Sequence, residues 1–522
     1  MSHSDRIPVA GSLAIETHSR VAPRCPRSFA RSHALPLALA LFTVAGTAHA
    51  QIPFLVEDIH TAGSSSPTAL ADLSGTLFFA ATDSAGDREL WQSDGTLAGT
   101  QLVLDLQVGG SSFPSFPRRV GTTLYFRANN GADGVELWKT DGTGAGTLQV
   151  KDIFPGASSS SPLPLGELGG EYYFSATDAL GSELWKTDGT LAGTVMVMDI
   201  RPGANGSFPS APAVANGMLF FRAIDKGTGS ELWKSDGTLA GTTIVRDVLP
   251  GASGGFGGSS MAAVGNFVYF SGNDGLNGNE LWKSDGTFAG TTMVKDISPG
   301  VAGSFPSSIV SLGGLAYFLA DDGTNGTELW VSDGTLAGTT MVKDVGPGAA
   351  SVNTPLLVVS GGRLFFAGDG GVDGREIWVS DGTLAGTVQL VDTRPGPLGG
   401  VDAESLRDAG GTLFFAATDG VTGTEVWKSD GTVSGTVPIG EIEAGASGSS
   451  VGGPNQEFVA SGSLVYFAAT RSDVGRELFA VDVGTAPPVP AGSTASRLVL
   501  VLGLLSLAAA ARPAQIRRRR SI

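Results

Sequence analysis

The chain has 522 residues, a formal net charge of −17, only 16% charged residues, 77 Gly, 8 Trp and a single cysteine. An acidic surface repels nucleic acid and anionic lipid and favours cations or neutral ligands. Four of the 5 His (His3, His18, His33 and His49) precede Ala50, which leaves His60 alone, so neither a multi-histidine metal site nor a Ser-His-Asp triad is available to most of the chain.

Residues 1–33 are polar and carry arginines, Ala34–Gly46 is an apolar run, and Ala48-His49-Ala50 follows it. This is the outline of a secretory signal peptide over residues 1–50. Cys25 lies before the apolar run rather than after it, which excludes a lipoprotein anchor and leaves a mature chain with no disulfide and no thiol nucleophile. Without its basic ends the chain carries a net charge of about −26.

From Gln51 onward the pattern changes to short β-branched and aromatic runs separated by Gly, Asp and Ser. Leu55-Val56-Glu57-Asp58-Ile59 comes first, and its pattern returns as Val150-Lys151-Asp152-Ile153, Val294-Lys295-Asp296-Ile297 and Val342-Lys343-Asp344-Val345. In the first full repeat, strands are predicted at Ala69–Leu73, Leu77–Ala81, Glu89–Ser93 and Gln101–Leu106. The third reads Glu-Leu-Trp and runs into Asp94-Gly95-Thr96, where Asp caps backbone amides and Gly takes a positive φ in a hairpin. All eight tryptophans sit in this string, from Trp91 to Trp427, 47 to 49 residues apart. A ninth, altered copy reads Glu477-Leu478-Phe479.

Four antiparallel strands per period of this length make a propeller blade. The last unit has strands near Glu457–Ser461, Leu464–Ala468 and Glu477–Val481 but no fourth, and Leu55–Ile59 supplies it. The expected fold is therefore all-β: a β-propeller of about nine four-stranded blades over residues 51–485, closed by an N-terminal strand completing the last blade. Each Trp is expected to pack on a neighbouring blade, with Leu on the opposite face. Gly-rich stretches such as Gly254–Gly258 read as turns, since no helix follows to make a phosphate cradle.

The repeated string resembles that of the bacterial ELWxxDGT-repeat proteins, a resemblance that implies an exported, propeller-like protein. Residues 486–497 read as a linker. The apolar run Leu498–Ala511 and the cluster Arg517–Arg520, in 498–522, resemble a PEP-CTERM-type sorting tail, with Val489-Pro490-Ala491 where that family has Pro-Glu-Pro; a plain C-terminal anchor is the alternative.

No residue is singled out as catalytic or cofactor-binding. The loops between second and third strands gather Asp and Asn oxygens that could hold calcium: Asp274, Asn277, Asp321, Asp322, Asn325, Asp369 and Asp373. Three functions fit. The first is a secreted or cell-surface binding module for an extracellular glycan or surface protein, monomeric and touching membrane only through its C-terminal segment. The second is an enzyme acting on extracellular polysaccharide with Asp/Glu at the ring mouth. The third is a calcium-dependent structural surface protein.

Overall fold

The computed structural model describes residues 52–483, apart from 349, 350, 353 and 454. The expected signal peptide, linker and C-terminal tail lie outside the described residues. Within them the chain forms nine four-stranded antiparallel sheets, arranged as the blades of a propeller. Blade one spans Thr68–Leu104 and blade eight Arg407–Pro438. In each, the chain meanders from an inner strand to an outer one, and inner strands of neighbouring blades lie beside each other.

Blade nine is made from both ends of the ring. Its inner, second and third strands are Val459–Ser461, Leu464–Arg471 and Gly475–Asp482, and its outer strand is Phe54–Glu57, with Phe54 opposite Ala480 and Leu55 opposite Phe479. The expected closure is therefore what the fold contains.

The core consists of nine apolar clusters, each between two consecutive blades. Between blades five and six, Leu281, Val294 and Ile297 of one meet Phe318, Ala320 and Trp330 of the next. Because side chains alternate along a strand, Leu281 faces forward while Trp282, its neighbour, faces back onto Phe256 and Phe270. Phe and Trp face each other across the second and third strands (Phe126 opposite Trp138, Phe318 opposite Trp330). The ring closes by the same chemistry: Val56, Tyr466 and Leu478 of blade nine pack on Leu77 and Phe79 of blade one.

One expectation is corrected. The turn ends at Ser253, and Phe256–Val264, with Gly257 and Gly258 inside it, forms the inner strand of blade five. A bulge between Phe256 and Met261 absorbs the extra residues. A side chain at Gly257 would collide with the Asn279 amide, so the glycines mark a close approach rather than a reversal.

Candidate functional site

The recurring polar residues are occupied in holding the blades. In the blade-one hairpin, Asp94 Oδ1 accepts from the Thr96 amide (2.9 Å) and the Thr96 hydroxyl (2.7 Å). Ser93 and Thr100 hydroxyls lie 2.8 Å apart beneath them. The same bonds recur through Asp430 in blade eight. The Thr96 hydroxyl and amide hold the Asp94 carboxyl below the usual carboxylate range.

The glutamate that opens each Glu-Leu-Trp has a role that the motif did not announce. Glu136 is fully buried. Its Oε2 accepts from the Ile153 amide (2.9 Å) and the Ser160 hydroxyl (2.6 Å), and its Oε1 from the Ser160 amide (2.9 Å). Ile153 follows its own blade's outer strand and Ser160 precedes the next blade's inner strand, so the carboxylate pins the crossover between them. Glu477 does this across the seam, accepting from the amides of Ile59 (3.3 Å) and Ser65 (2.7 Å) and from the Ser65 hydroxyl. Burial raises the pKa of Glu136, and Ser160 partly offsets it. Where Gly255 or Val352 replaces that serine, burial pushes Glu231 and Glu328 up to about 7.

Lysines provide a second tie. Lys343 Nζ donates to the Thr387 carbonyl of the next blade (2.8 Å) and lies 5.3 Å from the ring centre of that blade's Trp378. Lys151 and Lys295 do the same to Thr194 and Thr339. The tryptophans are accordingly wall rather than platform: Trp185, Trp233 and Trp330 are each 5% exposed.

The loops with calcium-type oxygens form turns on themselves. Asp274 Oδ1 accepts from the amides of Leu276 and Asn277, and its Oδ2 from the Asn277 side chain. Asp322 and Asn325 repeat this. Asp321 and Asp369 accept from Gly323 and Gly371, and Asp373 faces Gln389 at 3.5 Å. Among the described residues no three His, Cys, Asp or Glu side chains are grouped to hold a metal ion. His60 sits in a turn, its carbonyl accepting from the Gly63 amide.

The repeat breaks down in one sector. The inner strands of blades seven, eight and nine shrink to Val358–Ser360, Arg407–Ala409 and Val459–Ser461, against six residues in blades one to four. The face where inner strands begin is left open there, with a groove of about 830 Å³ lined by Phe305, Ser307, Thr327, Thr354, Arg375, Asp402 and Glu404. A second hollow of about 440 Å³ adjoins it through Arg375 and Asp402. Phe305 precedes Pro306 with φ 51°, a left-handed conformation that turns its ring outward, 60% exposed.

Arg375 opens the third strand of blade seven as Arg88 opens that of blade one, and Arg476 is the second residue of that of blade nine. Arg88 donates to Ser65 O, Thr82 Oγ1, Thr68 Oγ1 and Ala80 O, and Arg476 to Ser450 O and Gln456. Arg375 has no such acceptor among the described residues, where its buried Nε is unpaired. Asp402 accepts from the amides of Glu404 (3.0 Å) and Gly453 (2.5 Å), which fixes the groove's far wall. None of Phe305, Arg375, Asp402 and Glu404 stands out in the sequence.

No family model matches the chain, and no curated protein matches it. Among solved structures it is similar to a puromycin hydrolase at 15% identity, with a TM-score of 0.37, covering 70% of this chain and 60% of that one. It is similar to a structure from a study of two prolyl endopeptidases at 13% identity, with a TM-score of 0.38, covering 71% and 55%. TolB from Acinetobacter baumannii shares 11% identity over 60% of this chain and 76% of its own, with a TM-score of 0.30. The chain thus spans about 60% of the puromycin hydrolase it resembles.

Proposed function

We propose that the protein is an exported binding module that takes a segment of neutral extracellular glycan in the groove over blades six to eight. The observation that carries this reading is Arg375, whose buried Nε has no hydrogen-bond partner among the described residues and which lines the groove of about 830 Å³. An exposed aromatic ring offers a sugar its apolar face, while Arg375, Thr327 and Thr354 offer partners for hydroxyls. Asp402, Glu404 and the overall negative charge weigh against a polyanion. Export rests on the signal-like segment and on the resemblance to ELWxxDGT-repeat proteins.

Affinity electrophoresis of the exported protein in neutral and acidic polysaccharides tests it. Retardation is expected in a neutral polymer, with Arg375→Ala and Phe305→Ala each weakening affinity about tenfold or more. Arg375→Ala binding as tightly as the parent would overturn the assignment. A second reading is favoured by the two non-repeat carboxylates, Asp402 and Glu404, in one groove: hydrolysis of the bound polymer. Reducing ends released by the parent and abolished by Glu404→Gln would establish it.

A further inference from the structure

Blades one to eight each carry a hairpin from third to outer strand, and the residue after Asp-Gly-Thr forms its tip. It is leucine in five of them (Leu97, Leu191, Leu239, Leu336 and Leu384), Phe288 in blade five and Val433 in blade eight; only blade two has a glycine, Gly144. The seven apolar tips are between 64% and 69% exposed. Scattered apolar surface residues need no explanation, but a circle of seven at equivalent positions on one face does.

Blade nine shows what this face meets. Its third strand ends at Asp482, opposite Leu464, where blade one has Ser93 opposite Leu77 and then its hairpin. The chain therefore leaves the ring on the face that bears the apolar tips, and it continues past Val483 to the apolar run Leu498–Ala511 and the Arg517–Arg520 cluster.

We propose that this circle of tips is a lipid-facing surface that seats the ring on a zwitterionic bilayer beside the tail's point of entry. The tail is one weak anchor, since fourteen apolar residues are fewer than the ~20 that span a bilayer. Stable attachment takes a second signal, and several shallow apolar contacts on one rigid body act together as one. Beside the tips stand the hairpin carboxylates, Asp94, Asp188 and Asp381 among them, each held ionised by its own threonine. They disfavour an anionic surface. The groove opens on the opposite face, away from lipid. This inference is independent of what the groove binds.

Vesicle flotation tests the idea on the full chain with its apolar run disabled by Leu500→Asp and Leu505→Asp. That chain is expected to float with phosphatidylcholine vesicles and to do so less well when phosphatidylglycerol is added. Replacing Leu191, Leu239, Leu336 and Leu384 together by Ser should cut the bound fraction about tenfold at an unchanged melting temperature. Failure to float, or flotation indifferent to the four serines, overturns the proposal. So does a preference for phosphatidylglycerol, or a concentration-dependent doubling of mass that the serines abolish, which would make a second copy the occupant.

Discussion

A carboxyl group in this ring does one of two opposite things, according to where it sits. In the hairpins, threonine hydroxyls and amides stabilise the charged form, so the folded pKa of Asp94 or Asp285 is depressed. Stability from these groups is present above the unfolded aspartate pKa and lost as pH falls through the folded one. In the crossovers, burial raises the folded pKa of glutamate. Stability from these groups is complete below the unfolded pKa near 4.5 and declines as pH rises towards the folded value, about 7 for Glu231 and Glu328. The two trends predict greatest stability in mild acid. From pH 5 to pH 8, Glu231 and Glu328 should each cost about 2–3 kcal/mol. Denaturant midpoints should fall over that interval in the parent, and much less in Glu231→Gln/Glu328→Gln. Asp322 already accepts two amides and the Asn325 side chain. EDTA should therefore leave the melting temperature where it is, while Asp322→Ala lowers stability by about 1 kcal/mol. A clear drop on chelation would instead make calcium a structural ligand.

Between neighbouring blades, the interface combines an apolar slab with polar ties at its rim. Lys343→Met keeps the aliphatic stem but removes both the bond to Thr387 and the charge near Trp378, and should cost about 1–2 kcal/mol in equilibrium unfolding. What the sequence disclosed at this scale follows from what leaves a periodic mark. Strand order, the Asp-Gly-Thr hairpins and the opposed Leu and Trp faces all recur once per blade, and alternation fixes which way each points. The buried glutamate recurs as faithfully, yet its role was hidden, because its partners lie 17 and 24 residues downstream (Ile153 and Ser160 for Glu136) across the blade boundary. The lysine tie was hidden for the same reason: Lys343 reads as an exposed strand residue until the next blade is set beside it. The groove was illegible in a stronger sense. It arises where inner strands are shortened and the repeat lapses, and a pattern shows poorly what it omits.

Taken as a whole, the ring depends on its seam. Blade nine is joined to the start of the chain by the Phe54–Glu57 strand, the Glu477 bonds to Ile59 and Ser65, the Arg476 backbone bonds to Ser64 and Ser66, the Glu457 bond to the Leu70 amide (3.0 Å) and the Ser461 bond to Asp72 (2.7 Å). Glu477→Ala would strand two amides and a hydroxyl in a buried crossover and should cost about 2–4 kcal/mol. Deleting Ile52–Ile59 should go further and lower the protection of amides in every blade together, as hydrogen exchange would show. Loss confined to blade nine would mean that the other eight stand without closure.

That seam also sets a timetable. The ring's first strand has its partner at the other end of the described residues, with Phe54 opposite Ala480, so no amount of early folding can satisfy it. Until the last blade arrives, Phe54–Glu57 is accessible to proteases and to other chains. A molecule cut short before residue 475 can build most of its blades and still never bury its own beginning. Limited proteolysis is therefore expected to cut such a shortened chain near Phe54–Glu57 faster than the whole one.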